Sequence, residues 1–114
     1  MEKFVKLNHT LYRNINAIRI AYCYDKREKQ YKVQAEPVHF DNDGLFGKCF
    51  CKEYYEHGGD GIAKTIKIGR RSAKREQELD NYIKENCYDI ATRYVQDIKR
   101  KLNINDDIQI IKED

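Results

Sequence analysis

Leu79, Ile83, Cys87, Ile90, Tyr94, Ile98 and Leu102 recur at steps of four or three residues, the period of one helical face. On the same segment Asp80 precedes Lys84, Asp89 precedes Arg93 and Asp97 precedes Lys101. Acid-then-base pairs four residues apart support a helix. Ser72, the only serine of the chain, is the natural N-cap. The pattern predicts a helix over residues 71–103, about 45 Å long at 1.5 Å per residue. A chain of 114 residues has room for one core, so the remaining residues must build one surface for that stripe. A ten-residue strand spans only roughly 33 Å. The helix is therefore expected to kink near Asn86 or to overhang its sheet, and an overhanging stripe is compatible with a homodimer.

The surface is read as antiparallel strands between residues 15 and 69. Ile18, Ile20, Tyr22 and Tyr24 alternate on one face of a strand over Ile15–Tyr24. Tyr31, Val33 and Ala35 share a face of the next, over Gln30–Phe40, but Val38 and Phe40 fall out of phase with them. The switch lies at Glu36-Pro37. Proline cannot donate to a ladder, and a one-residue bulge there would correct the phase. Asp41-Asn42-Asp43-Gly44 marks a turn, expected as type I′. A third strand is expected over Leu45–Tyr55 and a fourth over Ile62–Ile68, separated by Gly58-Gly59-Asp60-Gly61. Residues 1–14 are ambiguous, and residues 104–114 form an acidic tail that reads as a short strand or a frayed end. The expected architecture is α+β: a single domain with an antiparallel sheet of about four strands and one long C-terminal helix packed across a face.

Apolar residues make up 40% and charged residues 36% of the chain, a globular rather than a disordered composition. No stretch approaches the ~20 apolar residues of a membrane span, and no signal pattern opens the chain. A cytoplasmic setting is expected, with the four cysteines as thiols. The bias towards Lys, Ile, Asn and Tyr fits a bacterial, phage or mobile-element source.

The charge distribution carries the functional reading. The net charge is +3, yet Gly61–Arg75 holds six bases and no acid: Lys64, Lys67, Arg70, Arg71, Lys74 and Arg75. Helix N-termini carry partial positive charge and normally recruit acids. A bound anion would compensate the reversed sign, held by backbone N–H groups at Ser72–Arg75 and by Arg70, Arg71, Lys74 and Arg75. Lys64 and Lys67 have odd spacing and cannot share one strand face, so at most one joins; Lys67 is the nearer. The alternative is a solvated surface with Glu76, Glu78 and Asp80 as local counter-charge.

The order strand, Gly69-Arg-Arg-Ser-Ala-Lys-Arg75, helix resembles the closing segment of the double-stranded-RNA-binding domain, where a basic Ser/Lys segment opens the last helix and touches phosphates. The resemblance implies phosphate contact by the same residues. The chain departs from that family in lacking a first helix before the strands and a small-residue pattern inside the last one.

Other constellations are weaker. His39, Asp41, Asp43, Cys49, Cys51 and His57 gather metal-ligand types, but Cys-x-Cys is not the usual zinc knuckle, and Lys52 stands where a calcium loop needs Glu. On a strand, Cys49 and Cys51 would share a face as small core residues. No metal or cofactor is expected. Ser72 has no adjacent His or acid to activate it, and no Gly-rich phosphate loop is present, so no enzyme activity is expected. Tyr54 and Tyr55 flank the glycine-rich turn. One of them is expected to face outward, where it would suit base stacking or a protein interface.

The leading expectation is a non-enzymatic protein that binds nucleic acid, RNA included, or a nucleoprotein complex through the basic helix N-terminus. Alternatives are a phage-encoded, anti-CRISPR-like inhibitor of a host-defence protein and an oligomeric sponge for a nucleotide signal.

Overall fold

The computed structural model describes residues 1–44, 46–48, 51–67 and 69–113, and for Phe46 and Lys48 the backbone alone. Five strands and two helices follow one another: β1 (Glu2–Leu11), β2 (Ile15–Asp25), β3 (Gln30–Phe40), β4 (Phe46–Lys48), α1 (Lys52–Glu56), β5 (Ile62–Lys67) and α2 (Ala73–Lys101). The strands form one antiparallel sheet in the order β1-β2-β3, with β4 and β5 both on the far edge of β3. β5 pairs with Gln30–Gln34 and β4 with Val38–Phe40. Four strand positions and one long C-terminal helix make the α+β architecture read from the sequence.

The stripe of α2 meets one face of this sheet. Leu79, Ile83, Ile90 and Ile98 pack on Val5, Ile18, Ile20, Tyr31 and Val33. Ile18, Ile20, Ile83 and Ile98 are fully buried, and burying each such side chain contributes about 1.5–3 kcal/mol. Ser72 caps the helix as its spacing predicts, its Oγ accepting from Arg75 N–H at 3.4 Å. At the other end Asn103 adopts φ 55°. Ile104 N–H reaches Lys99 O at 2.8 Å and Asn103 N–H reaches Arg100 O at 3.5 Å, the paired bonds of a left-handed C-terminal cap.

The helix runs unbroken through Asn86, over 29 residues. At about 43 Å it matches the 41 Å long axis of the molecule. Its far end is covered by the chain itself. The acidic tail turns back along β1: Asn8 N–H donates to Gln109 O at 2.9 Å and Ile111 N–H to Lys6 O at 2.8 Å. Leu7 bridges Ile110, Ile108 is buried, and the Tyr88 hydroxyl donates to Glu113 O at 2.7 Å. The tail is thus a docked edge segment rather than a frayed end.

The N-terminal segment, ambiguous in the sequence, is a strand, with Val5 and Leu7 on the core face. Three sequence expectations need correction. β3 has no bulge at Glu36-Pro37; it pairs with β2 continuously from Asp25↔Gln30 to Ala17↔Val38. The phase switch has another cause, a second apolar cluster on the opposite face. Val38 is fully buried there, and the Phe4 and Phe40 rings meet edge-on at 5.4 Å. Pro37 falls between the stretches of β3 bonded to β5 and to β4, so among the described residues its missing N–H costs no ladder bond. The irregularity lies instead in β5, where Lys64 pairs with Val33 and Ile62 with Gln34, leaving Ala63 extra.

The expected strand over Leu45–Tyr55 is a three-residue β4 and the short helix α1; Leu45, Cys49 and Phe50 lie outside the described residues. Lys52 and Glu56 pair four apart at 3.5 Å, and the Tyr54 hydroxyl donates to Asp97 Oδ2 of α2 at 2.7 Å. Docking onto α2 overrides the strand propensity of the tyrosines. The turn at Asp41–Gly44 is not type I′: of its residues Gly44 alone has positive φ, at 79°. Asp41 holds it by accepting from Asp43 N–H on its side chain and from Gly44 N–H on its carbonyl.

Candidate anion-binding surface

β5 ends at Lys67, the chain turns at Gly69 with φ 77°, and Ser72 opens α2. Gly69 N–H donates to Lys29 O at 3.3 Å, which fixes this junction to the β2–β3 turn. Lys67, Arg70, Arg71, Ser72 and Arg75 line one open depression of ≈ 550 Å³. Lys74, on the first turn of α2, is exposed beside it. Lys64 is not part of it: its ammonium lies 4.4 Å from the centre of the Tyr82 ring. The odd spacing of Lys64 and Lys67 therefore divides them between the two faces of β5.

Beneath the charges lies a network that the sequence reading missed. Tyr31 is fully buried in the centre strand. Its hydroxyl accepts from Ser72 N–H at 3.0 Å and donates to Glu76 Oε2 at 2.5 Å. Tyr22 donates to Glu76 Oε1 at 3.1 Å. The Arg71 guanidinium closes the cluster, with Nε 3.2 Å from Glu76 Oε2 and its carbon 5.9 Å from the centre of the Tyr24 ring. The Tyr31 hydroxyl and then Arg71 hold the Glu76 carboxyl below its ordinary range. Burial, then the Glu76 carboxylate, push the Tyr22 hydroxyl up to about 12. The signal available in the sequence was that Tyr22, Tyr24 and Tyr31 fall on the core face, where each hydroxyl must find a partner.

The network revises the charge count. The first turn of α2 does carry an acid, Glu76, engaged by Arg71, and Arg75 pairs with Glu78 at 2.9 Å. Among the described residues Lys67, Arg70 and Lys74 have no ion pair. Arg71 braces the surface, and the unpaired cations stand around it.

Tyr54 is 2% exposed and cannot stack on a ligand; its ring packs edge-on to Tyr94 at 5.5 Å. Tyr55 is 43% exposed. It lines a separate depression with Arg19, Cys23, Gln34, Glu36 and Asp60, and none of these residues lines the basic one. The strand argument for their opposite orientation fails, because both stand on α1. His39 Nδ1 lies 2.6 Å from Asn14 O, and Cys51 is buried at the start of α1. Among the described residues no group of three His, Cys, Asp or Glu side chains is placed to hold a metal ion, and no helix is long and apolar enough to cross a membrane. Comparison with protein-family models, with curated proteins and with solved structures returns no match for this chain.

Proposed function

We propose that the chain is a small non-enzymatic binding protein for nucleic acid or a nucleoprotein, engaged through the basic surface at the N-terminus of α2. The observation that carries this reading is the convergence of Lys67, Arg70, Arg71, Ser72 and Arg75 on one open depression. Lys67, Arg70 and Lys74 act as phosphate contacts, since among the described residues no acid pairs with them. Arg71 and Ser72 set their positions through Tyr31 and Glu76. Contacts of this kind read phosphate rather than base, so binding is weakly sequence-specific and weakens with salt.

The test is binding to duplex and single-stranded DNA and RNA at low and physiological salt. Binding at low salt that falls on Arg70→Ala supports the reading. Absence of binding to every one of these polymers at low salt rejects it.

A further inference from the structure

The two edges of the sheet are treated differently. Along Lys6 to Asn8 the β1 edge is covered by the chain's own tail. The β5 edge is bare. Ala63, Lys64, Thr65 and Lys67 are exposed, and Ile62 is 37% exposed. The direction of its peptide groups follows from β3. Ala35 N–H donates to Gly61 O at 2.8 Å, and Lys29 O accepts from Gly69 N–H. Odd-numbered residues of β3 therefore turn their peptide groups towards β5. Tyr31 and Val33 face Ile66 and Lys64. The peptide groups of Thr65 and Lys67 then point away from the sheet, and Ala63 at the irregularity has no partner in β3. Among the described residues nothing pairs with them.

We propose that the β5 edge takes up an extended acidic segment of a partner protein as an added strand. Charge selects the occupant. Two copies pairing through β5 would bring Lys64 and Lys67 of each against the other, and edge lysines of this kind oppose self-association. An acidic strand meets the opposite situation, with Lys67 leading directly into Arg70 and the basic depression. Shape adds a second requirement. On the core side the same edge carries Ile62 and Ile66 and borders a mixed cleft of ≈ 420 Å³ between β5 and α2, where Tyr82, Ile90 and Tyr94 stand among Asp60, Asp89, Arg93, Asp97 and Arg100. Side chains of a strand alternate between faces. The segment that fits has apolar residues beside Ile62 and Ile66 and acids on the other face, beside Lys67. This inference stands on the bare edge and is independent of the nucleic-acid reading.

The experiment uses the whole chain, labelled for amide NMR, and a capped eight-residue peptide of alternating Val and Glu. The expected result is slowed hydrogen exchange at the Thr65 and Lys67 amides, with no added protection at Lys64 and Ile66, which β3 already holds. Two controls separate strand addition from charge attraction: a peptide with Gln for Glu, and the Val/Glu peptide with alternate backbone nitrogens methylated. Both should bind ~5–10-fold more weakly, the loss expected for a few net hydrogen bonds or ion pairs. Thr65→Pro removes an outward N–H without touching the β3 ladder and should weaken the peptide to a similar degree. Shifts confined to Arg70–Arg75, equal binding of the methylated peptide, or protection of the same amides by an oligonucleotide in place of the peptide would each overturn the proposal. So would concentration-dependent pairing of the protein with itself through β5.

Discussion

The Tyr31 hydroxyl lies 2.5 Å from Glu76 Oε2, joining the centre strand of the sheet to the first turn of α2. The same hydroxyl accepts the Ser72 N–H, so one buried group fixes both the helix cap and the acid that holds Arg71. Tyr31→Phe removes both bonds while keeping the ring. It should destabilise the fold by about 1–2 kcal/mol, the cost of leaving buried polar partners unmatched. Urea denaturation should show a lower midpoint at unchanged slope.

Glu76→Gln should move stability and binding in opposite directions. The amide no longer neutralises Arg71, so the surface gains positive charge and binds a polyanion more tightly, while the ties to Tyr22 and Arg71 weaken. A purely structural role for Glu76 predicts loss of both. Thermal melting and binding at one low salt concentration separate the two.

The depressed Glu76 carboxyl also sets an acid limit. A folded value below the ordinary 4.5 means that the unfolded chain takes up the proton first as pH falls. The stabilisation is complete above about pH 4.5, declines below it, and is gone once pH passes the folded value. A melting series from pH 7 to pH 3 should show this decline, and it should be smaller in Glu76→Gln.

Gly61 is required by its backbone and by its neighbours. Its φ is 69°, and an added Cβ would stand 2.5 Å from the Ala35 carbonyl oxygen, which the chain cannot move without losing the β3–β5 pairing. Gly61→Ala should cost ~2 kcal/mol or more from the left-handed backbone and the overlap together. Gly44→Ala is the control, since only its φ of 79° is strained and nothing lies within 4 Å of an added Cβ. Chemical denaturation of the pair should rank Gly61→Ala as the more destabilised.

Tyr54→Phe removes the hydroxyl bonded to Asp97 at 2.7 Å and leaves the ring packing. Burial raises the Asp97 carboxyl, but the Tyr54 hydroxyl and the Lys101 and Arg100 cations together hold it low. With those cations retained, the loss should be about 1 kcal/mol. Nucleic-acid binding should not change, because Tyr54 lies outside the basic depression.

How far the sequence could be read depended on the range of the interactions involved. α2 was legible because its stripe, its Ser72 cap and its ion pairs all repeat within a few residues. β2, β3 and β5 were legible from alternation and turns. β1 was obscured because Phe4 serves the outer cluster while Val5 and Leu7 serve the core. α1 was hidden because Tyr54 and Tyr55 favour strands, and only docking onto Asp97, 43 positions away, makes a helix there. The same distinction holds at the site. Its charges are local and were counted from the sequence, whereas the brace that positions Arg71 joins residues 45 positions apart.

The central claim is that Lys67, Arg70 and Lys74 hold phosphates. Its most direct test is the salt dependence of binding to a labelled nucleic-acid duplex for the native chain and for Lys67→Ala combined with Arg70→Ala. Three phosphate contacts predict a slope of log K against log salt of about −2 to −3, and loss of two should flatten it by about 2. A native slope near zero, or a slope that the double substitution leaves unchanged, would contradict the account.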